Sequence, residues 1–174
     1  MTKRQDRERS FGEYVAERRT HLYRTAYLLC GDPHRAEDIV QAALTKLYVA
    51  WPRASRLDSV DAYVRRIVVN AHIDETRRPW RRERPVEPDP GSALDRPVDE
   101  AVTPEDSDAL WTALRGLAPG QRRVVVLRHY WGLSVDETAA DLGISPGTVK
   151  SQTSDALAAL RAALSAVPTP GEHR

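Results

Sequence analysis

Residues 85–108 (PVEPDPGSALDRPVDEAVTPEDSD) hold five prolines, one glycine and eight acidic side chains, with almost no large apolar residue to bury. Such a stretch cannot bury enough apolar surface to fold, and its prolines and repelling carboxylates extend it. It reads as a linker that holds its two flanks apart rather than packing with them. The chain therefore divides into a first domain at 1–84, a linker at 85–108 and a second domain at 109–174. Each flank is short, so each needs a compact core of its own.

The net charge of +1 would by itself argue against a nucleic-acid partner, but it hides a segregation. The three segments carry +6, −7 and +2, so the first domain has the basic surplus. No apolar run approaches the ~20 residues that span a bilayer, and Met1 to Ser10 does not resemble a signal peptide. We therefore expect a cytoplasmic protein without membrane insertion. The lone Cys30 excludes an internal disulfide and, beside Tyr27, Leu28 and Leu29, reads as core. His21, His34, His72, His129 and His173 form no metal-ligand spacing. Neither a phosphate-binding glycine loop nor a nucleophile motif occurs. No enzyme, metal or cofactor is expected.

Periodicity predicts an all-α fold. Phe11 to Cys30 places Val15, Leu22, Ala26 and Leu29 on one face and ends at Gly31. Asp32 caps a second helix with Pro33 at its first position. Ile39, Val40, Ala43, Leu44 and Leu47 make its apolar face, and Trp51-Pro52 stops it. Asp58 or Ser59 opens a third, with Val64, Ile67, Val68 and Ala71 inward and Pro79 as breaker. Ile67-Val68-Val69 could be a strand, but it sits inside the longer helical period. In the second domain, Ala109 to Leu117 brings Leu110, Ala113, Leu114 and Leu117 together, and Gln121 to Tyr130 follows Pro119. Two further helices start at Ser134 and Ser145-Pro146, the last running to about Ala166.

The stretch LSVDETAADLGISPGTVKSQTSDALAAL carries the sharpest local signal. Ser134 and Glu137 form a capping box, Gly143 supplies a turn, and Ser145 with Pro146 starts another helix. Together they spell a helix-turn-helix. The early turns of its second helix present Ser145, Thr148, Lys150, Ser151, Gln152 and Ser154, side chains suited to phosphates and base edges. Asp155 sets a negative charge among them and argues against strong autonomous DNA binding.

A helix-turn-helix does not say which DNA task is served. In the first domain, AEDIVQAALTKLYVAW resembles the second conserved region of the extracytoplasmic-function (ECF) sigma factors of bacterial RNA polymerase. The matching positions are Ala36, Glu37, Asp38, Val40, Gln41, Leu44, Lys46 and Tyr48. The resemblance implies that Asp38, Gln41, Leu44 and Tyr48 bind the clamp helices of the polymerase core. Asp38 and Gln41, three apart, share a helical face. AYVRRIVVNAHIDETRRPWRRER resembles the segment that melts and reads the minus-ten promoter element. That assigns Arg65, Arg66, Asn70, Asp74, Arg77 and Arg78 to DNA; Trp80, among the arginines that follow, offers by its own chemistry a stacking surface for an unpaired base. The helix-turn-helix would read the minus-thirty-five element and meet the polymerase flap. The acidic linker is either an RNA mimic in the exit path or an inert spacer. An anti-sigma partner is also implied. The rival reading is a conventional regulator that binds a duplex operator without polymerase.

Overall fold

A computed structural model describes residues 2–77 and 104–166, the side chains of 104–108 excepted. Residues 85–103 of the acidic segment, together with Arg78 and Trp80, lie outside the described residues. Every described element is helical, and Val68 and Val69 are buried within a helix rather than a strand.

Helix α1 spans Lys3–Cys30 and starts eight residues before Phe11, where the apolar period begins. A reciprocal cap explains the extension. The Thr2 hydroxyl accepts from the Gln5 amide at 3.4 Å, and the Gln5 side chain accepts from the Thr2 amide at 2.9 Å. A four-residue Arg4–Glu8 pair at 2.8 Å supports the first turns. Gly31, at φ 76°, ends the helix in the left-handed region.

Helix α2 (Pro33–Ala54) is capped by Asp32, whose carboxylate accepts from the Arg35 amide at 2.8 Å. It does not stop at Trp51-Pro52 but continues to Ala54. Pro52 has no N–H to offer the Tyr48 carbonyl four residues back. Arg7 of α1 donates to that carbonyl instead, with its guanidinium 4.4 Å from the Tyr48 ring centroid. The Trp51 indole N–H donates to Ser10 at 2.9 Å, and Phe11 meets Tyr48 and Trp51 edge-on. The polar start of α1 thus makes a proline tolerable inside α2. Helix α3 (Val60–Thr76), capped by Ser59, ends before Pro79. The three helices enclose Leu22, Leu29, Val40, Leu47, Val64 and Val68. Arg35 and Glu75, at 3.0 Å, tie α2 to α3.

The second part comprises α4 (Pro104–Arg115), α5 (Pro119–Val125), α6 (Val135–Leu142) and α7 (Pro146–Ser165). The helix expected over Gln121 to Tyr130 changes character at Val126. Its last turn widens, and the Trp131 amide donates to the Val126 carbonyl five residues back at 3.1 Å. Leu110, expected inward, is 42% exposed. Ala113, Leu114 and Leu117 are buried as expected, and Trp111, half-buried, stacks on Tyr27 at 4.8 Å.

The two parts are not held apart. Val126, Leu127 and Leu133 are buried in the same core as α1, α2 and α3. The Trp131 indole donates to Thr25 at 3.1 Å, and Arg122 donates to the Leu29 carbonyl at 3.1 Å. Trp111 lies so close to Gly31 that a Cβ there would come within 2.3 Å of its ring. The physical reason is apolar surface that joins the cores of both parts, which charge in an intervening segment does not override.

Replacing Arg7 with Ala should lower stability by about 1–2 kcal/mol in urea unfolding, through the stranded Tyr48 carbonyl. In a Pro52→Ala background, where residue 52 regains its N–H, that loss should shrink by about half or more. An equal loss in both backgrounds would place the effect in the Tyr48 ring contact alone.

Candidate nucleic-acid and polymerase interfaces

On α2, Asp38 and Gln41 are exposed on one side, together with Ala42, Thr45 and Lys46. The Gln41 amide donates to Glu37 at 3.1 Å, and Glu37 also pairs with Arg19 of α1. Leu44 and Tyr48 do not join this face. Leu44 is only 8% exposed in the core, and Tyr48 is half-buried beneath Arg7 and Phe11. The apolar member of the face is Val49, 73% exposed and eleven residues after Asp38, hence on the same stripe. Its spacing was readable in the sequence; its exposure was not.

On α3, Arg66, Asn70, Asp74 and Arg77 are all exposed, at successive spacings of four, four and three. That is one line along a helix. Arg65 points elsewhere. Its Nε donates to Asp141 Oδ2 at 2.6 Å, while the Arg66 Nε donates to Oδ1 of the same carboxylate at 2.7 Å. Asp141 lies on α6, and its side chain is 1% exposed. The Arg65 guanidinium also sits 5.1 Å from the centroid of the Trp131 ring. No local pattern could have paired Asp141 with residues some 75 positions earlier. Arg78 and Trp80, with Arg81, Arg82 and Arg84, fall outside the described residues.

His72, on the inward side of α3, is held neutral. Burial pushes its pKa down to about 4, helped by the Arg123, Arg35 and Arg122 charges. His21, stacked on Tyr130 and edge-on to Trp131, is also lowered, by burial and then by Arg18. Burial pushes the Cys30 thiol up to about 11, which suits a packed side chain rather than a reactive one.

The helix-turn-helix forms as its spelling requires. Ser134 and Glu137 cap α6 reciprocally, Gly143 turns at φ 64°, and Ser145 accepts from the Thr148 amide at 3.1 Å. Lys150, Ser151, Ser154 and Asp155 are exposed on α7. The Ser145 and Thr148 hydroxyls bond each other at 2.8 Å, and Ser151 donates to the Thr148 carbonyl at 3.2 Å. Gln152 is half-buried, its amide packed against Gly120 at the start of α5. Beside them runs an open groove whose lining includes Arg128, Lys150, Ser154 and Arg161. Arg128 comes from the widened turn, so its place beside Lys150 follows only from the fold.

Among the described residues no group of side chains could hold a metal ion, and no helix is long and apolar enough to cross a membrane. A helix-turn-helix beside a basic groove, packed on a three-helix unit with a polar exposed face, defines a DNA-binding transcription protein.

Comparison with known proteins narrows the class. Residues 14–82 match the family described as Sigma-70 region 2, and residues 107–160 match Sigma-70, region 4. RNA polymerase sigma-E factor of Streptomyces coelicolor is 44% identical, over 87% of this chain and 84% of that one. ECF RNA polymerase sigma factor SigL of Mycobacterium tuberculosis (strain H37Rv) is 34% identical, over 82% of each. Among solved structures, the sigma factor RpoE of Bartonella quintana, in complex with the anti-sigma factor NepR, shares the fold with a TM-score of 0.72. It is 24% identical, and the match covers 91% of this chain and 99% of that one. CnrH, in complex with the cytosolic domain of CnrY, gives 0.63 at 26% identity over 92% and 91%. The chain belongs to the ECF sigma factors of the sigma-70 family. It is a sigma factor that directs RNA polymerase to promoters, and the conventional-regulator reading is not favoured.

The buried histidine sets a pH dependence. Well above its ordinary pKa of about 6.5, His72 is neutral both folded and unfolded; as pH falls through that value toward about 4 the unfolded chain takes up a proton that the fold refuses, so stability declines. The urea midpoint should fall between about pH 7 and pH 5, and His72→Gln should flatten that decline. A wild-type slope in the variant would assign the titration to another group.

Proposed function

We propose that three surfaces divide the work of initiation. The face of α2 around Asp38 and Gln41 binds the clamp helices of core polymerase, with Val49 as its apolar contact. Arg65, Arg66, Asn70, Asp74 and Arg77, continued by Arg78 and Trp80, read and melt the minus-ten element. Ser145, Thr148, Lys150, Ser151, Gln152 and Ser154 read the minus-thirty-five element, with Arg128 and Arg161 on flanking phosphates, and the second domain meets the flap. In this reading residues 1–84 and 109–174 are the two working domains and 85–108 joins them, its last residues already entering α4 at Pro104.

The observation that carries the reading is the single exposed line of Arg66, Asn70, Asp74 and Arg77 on a helix inside the region 2 match. An amide that can bond a base edge bidentately sits there between phosphate-binding guanidiniums. Melting needs no nucleotide hydrolysis. Contacts to flipped bases and single-strand phosphates offset an unstacking cost of roughly a few kcal/mol per step. The protein acts in the cytoplasm, where its polymerase is, and has no catalytic activity of its own. An anti-sigma protein restrains it, a reading supported by the likeness in fold to the sigma factor RpoE of Bartonella quintana, solved with the anti-sigma factor NepR.

The test is capture of purified core polymerase by this chain, followed by multi-round transcription from pooled genomic promoter fragments. Stoichiometric capture with new, sequence-restricted transcripts is expected. Failure to bind core, with tight binding to a duplex operator, would establish a conventional regulator. Asp38→Arg combined with Gln41→Ala should weaken core capture at least about tenfold with helical content intact. Unchanged capture would move the polymerase contact off α2. Lys150→Ala should weaken duplex binding across sequences and lower the salt slope by about one.

A further inference from the structure

We propose that Asp141 is an intramolecular stand-in for a DNA phosphate, which engages Arg65 and Arg66 in the free chain and must leave them before these arginines can meet promoter DNA. The inference rests on the reading of Arg65 and Arg66 as DNA contacts. Carboxylate and phosphate are the two anions that a guanidinium fork recognises, and here one carboxylate serves two adjacent arginines, at 2.6 and 2.7 Å. The contact is withdrawn from water on one side, with side-chain exposures of 9% for Arg65 and 1% for Asp141. A surface ion pair would yield to DNA at once, whereas a desolvated one holds until the elements part.

The surroundings make it a clasp. Trp131, hydrogen-bonded to Thr25 of α1, lies against the Arg65 guanidinium, so α6 and the widened turn before it reach α1 and α3 as one piece. On α7 of the same unit, Lys150, Ser151 and Ser154 remain exposed. The closed form therefore occupies two arginines of the minus-ten reader while leaving side chains of the minus-thirty-five reader open to solvent.

The test uses the full chain, with a fluorescently labelled random pool of single-stranded DNA of ~12 nucleotides as probe and small-angle scattering as a measure of shape. Asp141→Asn should bind the pool at least about tenfold more tightly than wild type and show a larger radius of gyration. Asp58→Asn, which removes the same charge from an exposed site between α2 and α3, outside the proposed DNA faces, should change affinity less than about twofold. Arg65→Ala with Arg66→Ala, added to Asp141→Asn, should abolish the gain. Equal gains from Asp141→Asn and Asp58→Asn would overturn the proposal, since net charge would then explain both. So would a wild-type chain already as expanded and as tightly bound as Asp141→Asn. If Asp141→Asn fails to fold, Trp131→Ala tests the same closure by removing the ring against Arg65, and absence of expansion and gain there would also overturn it.

The clasp and the DNA assignment fail separately. A variant that opens and gains affinity without needing Arg65 or Arg66 would sink the minus-ten assignment and the phosphate-mimic role together. An unchanged Asp141→Asn, alongside loss of promoter-specific transcription in Arg65→Ala with Arg66→Ala, would sink the clasp alone.

Discussion

Val126, Leu127 and Leu133 are buried among Leu22, Leu29 and Val64, and this shared core sets the relation of every other surface. Fully burying such side chains contributes roughly 1.5–3 kcal/mol each, as an upper estimate. The Asp141 pair beside them is of a different kind. Desolvating Arg65 and Asp141 offsets most of their attraction, and Arg66, with 57% of its side chain exposed, adds little. Burial supplies the adhesion. The ion pair supplies register, because leaving a buried charge unpaired costs roughly 3–5 kcal/mol.

That division explains how one small chain can present separate surfaces in one arrangement. The α2 face with Asp38, Gln41 and Val49 is exposed, as are Lys150, Ser151 and Ser154 on α7. The α3 line is exposed too, yet its neighbour Arg65 is drawn under α6. The exposed α2 and α7 surfaces thus coexist with an arginine pair already engaged by an internal anion.

Much of this was legible because it is local. Asp32 before Pro33 and the Ser134–Glu137 box each satisfy orphan amides within one turn, so spelling alone predicts them, while for the third helix it left Asp58 and Ser59 open and the fold uses Ser59. The family resemblance was legible in the same way, since Asp38, Gln41 and Asn70 stand at fixed spacings along single helices. Where reading failed, a distant partner intervened. Pro52 does not end α2 because Arg7 covers the Tyr48 carbonyl, and Leu110 yields its inward place to Trp111, which finds Tyr27 and Gly31.

The sequence by itself determined that the chain is helical, the caps at Asp32, Ser134 and Ser145, the helix-turn-helix and the face that Asp38 and Gln41 share, since each depends on residues within a few positions of one another. Only the tertiary structure decided that the two parts pack together, that Leu44 is core while Val49 is surface, and that Arg65 and Arg66 meet Asp141. Those outcomes depend on which apolar faces find each other across the chain, and spacing along one helix carries no information about that.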